Sequence, residues 1–141
     1  MGDGTSVSED WTPGTTSDKF DRLGTYEFTI LASGTQILDL QAASAIDGAA
    51  LALVECRHLR IQSDDANVGN VTLEVDGTNG WAAWIDTVAA ALIIVPGSTH
   101  GFTAGLDGGY VVDATHKELL LTNLDALNSV TIRIDVVGVS A

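Results

Sequence analysis

The chain reads as an all-β protein, a β-sandwich and most specifically a jelly roll of about eight strands carrying an extended N-terminal arm. Three observations predict this. Val130, Ile132, Ile134 and Val136 alternate with Thr131, Arg133 and Asp135, the two-residue period of a strand with one buried face. Gly, Asp, Asn and Pro clusters divide the chain into short β-branched runs about every 8 to 12 residues, the rhythm of a sandwich or barrel. No internal repeat is evident, which argues against a propeller or a β-helix. An immunoglobulin-like sandwich ranks second.

Residues 1–24 are rich in Gly, Ser, Thr and Asp, with Trp11 and Phe20 as their large apolar groups. Such a composition buries too little surface to fold alone. It reads either as a disordered tail or as an arm whose two aromatics anchor it to another subunit. Residues 25–141 form a single β-sandwich domain. Tyr26, Phe28 and Ile30 alternate with Glu27 and Thr29 as a first strand, and Ser33-Gly34 turns the chain into Thr35–Leu40. Gln41–Gly48 reads as a short helical turn or a loop. Ala50–Gln62 reads as one long strand or a bulged one, with a helix as the alternative over Ala49–Cys56.

Ser63–Asn70 is a loop by composition, and Val71-Thr-Leu-Glu-Val75 alternates again. Asp76-Gly-Thr-Asn-Gly80 is a strong hairpin signal between that strand and a run at Trp81–Ile85. Ala90–Val95 is an apolar run of strand length ended by Pro96-Gly97. Gly101-Phe-Thr is short, Ala104–Gly109 is a loop, and Tyr110-Val-Val follows. Glu118–Leu121 is a further apolar run. Asn123, Asp125 and Asn128 supply turn chemistry before the last strand, for a hairpin or a crossing between sheets.

The 141 residues are enough for one core without disulfide staples. Cys56, the one cysteine, sits in the apolar run Leu51–Cys56 and reads as a buried small hydrophobe. Nineteen acidic residues against six lysines and arginines give a net charge of −13. Phosphate backbones need clustered cations, and these are scattered, so nucleic acid and anionic membranes are disfavoured as partners. A basic partner, or simple solubility, fits the balance. The N-terminus lacks the features of a signal peptide, and no apolar run reaches spanning length. The expectation is therefore a soluble protein made in the cytoplasm.

Catalytic motifs are missing. His58, His100 and His116 lie far apart with no metal-ligand spacing, so no metal, cofactor or catalytic residue is expected, and the chain reads as no enzyme. Asp64, Asp65, Asn67 and Asn70 form the densest set of oxygen ligands, without the spacing of an EF-hand, and read as a solvated turn with cation binding as the alternative. Trp81 and Trp84 suggest a sugar-stacking platform. In a regular strand, however, residues three apart face opposite sides, so one buried ring and one at a subunit contact is the economical picture.

An aromatic-punctuated arm (Trp11, Phe20), an all-β body, the Gly- and Asp-rich loops 76–80 and 104–109 and the acidic balance resemble the head-decoration, or cement, proteins of tailed bacteriophages. The resemblance spans the chain and matches no motif residue by residue, so no functional residues carry over from it. It implies a non-enzymatic virion protein, a homotrimer on three-fold axes of the outer capsid surface, bound to the major capsid protein and bracing the shell. Trp11, Phe20, Trp81, Trp84 and Val137 are the candidate partner-binding residues. Val137 is chosen because the apolar end of the last strand suggests a contact near the trimer axis. The alternative is a phage tail, adhesion or carbohydrate-binding sandwich using Trp81 and Trp84.

Overall fold

Alternating β-branched runs pair into sheets because a strand with one apolar face gains by stacking that face on another. The computed structural model describes residues 12–13, 19–75, 78–84, 91–104 and 108–140. Its strands are β1 (Thr12–Pro13), β2 (Lys19–Phe20), β3 (Arg22–Ile30), β4 (Thr35–Asp39), β5 (Leu53–Ser63), β6 (Val71–Val75), β7 (Ala91–Ile94), β8 (Thr99–Thr103), β9 (Tyr110–Val111), β10 (Glu118–Asn123) and β11 (Val130–Ser140). One sheet has the order β3-β11-β5-β8, with β9 also on β5, and the other has the order β4-β10-β6-β7. Every pairing within these two sheets is antiparallel.

Leaving aside β9, the chain alternates between sheets at every step except β6 to β7. First and last strands of the body, β3 and β11, are neighbours, as are β4 and β10. This is the jelly-roll path, two Greek keys wound together. The run at 123–128 is accordingly a crossing between sheets and not a hairpin. β1 and β2 form a separate parallel ribbon, Thr12 opposite Lys19 and Pro13 opposite Phe20.

The core is the sum of the inward rows. From the β11 sheet come Ile30, Leu59, Ile61, Val130, Ile132, Ile134 and Val136, and from the β10 sheet Leu38, Val71, Leu73, Ile94, Leu119 and Leu121, all buried. Each such side chain contributes about 1.5–3 kcal/mol relative to its exposed state. Cys56 is buried among them, its thiol donating to the His58 carbonyl, and burial pushes its pKa up, so it packs as a small hydrophobe.

Several local expectations change. The first sheet strand begins at Arg22, since Asp21 donates its N–H to Gly138 O and accepts from Ser140 N and Oγ at 2.7 and 2.5 Å. Gln41–Gly48 forms turns and no helix. The Asp39 carboxylate takes the N–H groups of Gln41 and Ala42 as a helix cap would, but the amides that follow bond elsewhere, Ala45 N to Ala49 O and Ile46 N to Leu23 O, so no helical ladder continues. Burial raises the Asp39 pKa, but those two donors and Lys117 outweigh it and hold the carboxyl below its ordinary range. The helical alternative at Ala49–Cys56 fails because Ala52 sits at φ 48°, outside the right-handed helical region, and strand β5 starts at Leu53.

The expected strand at Trp81–Ile85 is absent from its described part, Trp81–Trp84. Gly80 bridges Glu118 and Trp81 donates to Glu118 O, so the chain turns there. Residues 76–77, 85–90 and 105–107 lie outside the described residues, and with them part of the expected hairpin and of the loop after Ala104. β6 pairs with β7 and β10 instead.

Candidate interaction surface

A jelly roll crosses between its sheets at two ends, and one end here is knit into a belt. The β7–β8 turn bonds to the end of β5 through Ser63 N to Ser98 O and Gly97 N to Ser63 O. The β5–β6 loop meets the β10–β11 crossing through Leu124 N to Asn70 O, and that crossing meets the β3–β4 turn through Ser33 N to Asp125 O. Turn chemistry builds each piece. Ser33 adopts φ 58°, and the Asp125 carboxylate accepts the N–H groups of Leu127 and Asn128, which draws its pKa down.

Two asparagines lock the belt. Asn123 is buried, and its amide donates to the carbonyls of Ile30, Leu31 and Asn128 at 3.2, 3.1 and 2.8 Å while its oxygen accepts from Asp125 N. Asn67 exchanges two bonds with the Thr131 backbone and donates to Ser63 Oγ. The Asp64–Asn70 cluster therefore spends much of its oxygen on the chain: Asp64 accepts Ala66 N–H and Asn67 accepts Thr131 N–H. Among the described residues no three His, Cys, Asp or Glu side chains gather into a metal cluster.

Every crossing in this belt exposes an apolar side chain. Leu31 is 72% exposed, Val68 73% and Leu127 88%, and Leu124 and Val95 are exposed beside them. Carried by loops of one end of the fold and held by backbone bonds between those loops, these side chains make a candidate contact surface. Nothing in composition or spacing singled these residues out. Each lies in a loop, where a lone Leu or Val reads as noise until topology brings the loops together.

The two outer sheet faces differ. On the β11 sheet, cross-strand neighbours bear opposite charges: Arg133 bonds Glu27 at 2.7 Å and Arg60 bonds Asp135 at 2.6 Å. His58 Nδ1 lies 2.9 Å from Thr103 Oγ1 on the same face, and burial lowers its pKa. On the β10 sheet, register aligns Ile37, Leu120, Glu74 and Ala91 in one row and Thr35, Thr122, Thr72 and Ile93 in the next.

The candidate partner residues scatter. Trp11 lies outside the described residues. Phe20 is half-buried, and its strand lies against β11. Val137 is half-buried on the ion-paired face, opposite Leu23 and His58, in a strand bonded on both sides. Trp81 is 1% exposed and donates its indole N–H to Val111 O at 2.7 Å, so it is a core side chain. Trp84 packs on it at 6.1 Å between ring centroids, and both meet Phe102. The opposite-sides expectation fails because the segment turns. The two rings share one cluster, and Trp84 Nε1 is buried without a partner among the described residues.

The histidines do not converge. His58 belongs to the outer face of β5, His100 to edge strand β8 opposite Ile61, and His116 to an exposed turn where its Nδ1 lies 3.0 Å from Asp113 Oδ1. Thr115 N–H and then His116 draw the Asp113 carboxyl down to about 2.

No family model and no curated protein matches this chain. Among solved structures, one chain from work titled "Bacillus endospore appendages form a novel family of disulfide-linked pili" is similar, at 13% identity and a TM-score of 0.42. The match covers 97% of this chain and 100% of that one.

Proposed function

We propose that this protein is a non-catalytic structural component that works by surface contact, and specifically a capsid decoration protein. It binds the major capsid protein on the outer surface of a virion as a homotrimer, after synthesis in the host cytoplasm. The observation that carries the reading is the belted end of the sandwich, where four crossing loops each hold an apolar side chain out to water on a locked backbone. A cement protein needs such preorganised contacts, because modest affinity multiplied over many copies gives retention. The net charge of −13 supports a partner other than nucleic acid or an anionic membrane. The carbohydrate reading loses support, since Trp81 offers no free ring face.

The test uses native mass spectrometry and shell binding. The wild type is expected to be a trimer that cosediments with expanded phage shells. The double variant Leu31→Asp, Leu127→Asp is expected to fold with unchanged circular dichroism and to lose at least tenfold in retention. Deletion of residues 1–18, which spares Asp21 and β3, is expected to weaken attachment further. A monomer that binds no shell, with or without these changes, overturns the proposal.

A further inference from the structure

The outer face of the β4-β10-β6-β7 sheet is a second surface with exposed apolar side chains, and its composition is specific. Ile37, Ala91 and Ile93 are exposed and Leu120 is half-exposed, with threonines 35, 72 and 122 filling the neighbouring row. The one ionisable group within these two rows is Glu74. Its carboxylate is held on the sheet surface, Thr72 Oγ1 donating to Oε1 at 3.0 Å and Thr122 Oγ1 to Oε2 at 3.4 Å. The nearest charged residues in register, Asp39 and Glu118, stand opposite each other at the end of β4 and β10, and Asp39 is paired there with Lys117.

We propose that this face is a docking surface for a basic protein partner that lays apolar side chains on Ile37, Leu120 and Ile93 and sets one lysine or arginine on Glu74. Charge decides the occupant. Covering the face with a purely apolar surface would strand a carboxylate out of water, a penalty that a matching cation offsets. The chain has few cations to offer. Arg57 is paired with Glu55, Arg60 with Asp135, Lys117 with Asp39 and Arg133 with Glu27.

A second copy fits badly for the same reason. The four cations just named are held by carboxylates of their own copy, so a second copy, itself of net charge −13, brings none of them to Glu74. A basic partner instead gains long-range attraction from that charge and register from the single carboxylate. Glu74 thus acts as the specificity element, and the aliphatic groups supply the buried area. This inference rests on the reading of the chain as a contact protein, and it adds which chemistry the contact takes.

The probe is a display library of random linear peptides selected against the intact protein. Selected peptides are expected to carry one Lys or Arg among apolar residues and to shift amide signals of β4, β10, β6 and β7. Glu74→Gln, which keeps the side chain's shape and a carbonyl acceptor, is expected to weaken them at least tenfold. Glu74→Lys is expected to select peptides bearing Asp or Glu instead.

Selection of no such peptide, binding indifferent to Glu74→Gln, or shifts confined to other surfaces would each overturn the inference. So would self-association through this face that Glu74→Gln strengthens, which identifies the occupant as a second copy. A protein that cements shells yet selects no such peptide fails this inference alone. One that selects them and attaches to no shell fails the capsid reading alone.

Discussion

Asn123 shows how much one side chain can hold. It is buried at the end of β10, and its amide shares two N–H groups among three carbonyls, those of Ile30 at the end of β3, Leu31 in the β3–β4 turn and Asn128 in the β10–β11 crossing. Replacing it with alanine leaves those oxygens without that donor in a place water reaches poorly, at a cost of about 2–3 kcal/mol. Urea denaturation of Asn123→Ala should show that loss with an unchanged slope, and amide exchange should quicken at Gly34 and Asp125. A loss below about 0.5 kcal/mol would mean that water replaces the amide. Asn123 and Asn67 were legible as turn formers but not as brackets. Their partners lie up to 93 residues away, and spacing along a chain carries no information about such a pair.

Element by element, period two was a dependable guide where one face is buried and the other wet. β3, β6 and β11 run over the residues whose alternation marked them, apart from their ends. It misled at Trp81–Trp84, where a hydrogen bond to Glu118 and the pull of the aromatic cluster turn the backbone, a tertiary effect that overrides local preference. Edge strand β8 gives a test at this scale. Gly101 has φ 151°, and a Cβ there would run into the Leu59 carbonyl of β5. Gly101→Ala should therefore loosen β8 from β5. Hydrogen exchange is expected to quicken at β5 and β8 amides while the β10 sheet keeps its protection. Uniform protection across both sheets would show that the strand absorbs the methyl group by shifting.

At the scale of the whole molecule, the jelly roll was legible because it follows from the count and rhythm of the strands, whereas the functional surfaces were not. The apolar belt and the Glu74 face are assembled by topology from residues that look ordinary in line. The same topology seats β11 between β3 and β5, bonded along both sides, with the Asp21 carboxylate fastened to Ser140, 119 positions away. Removing residues 130–141 would open a slot with unpaired hydrogen-bonding groups on two flanks, and such a slot is a template for an added strand. A synthetic peptide of residues 130–140 should restore the β circular-dichroism signal of that truncated chain at stoichiometric ratio, and one with Ile132 and Ile134 changed to Asp should not. Restoration would make β11 a strand that the rest of the fold can accept from outside, and its failure would tie the strand to its own chain.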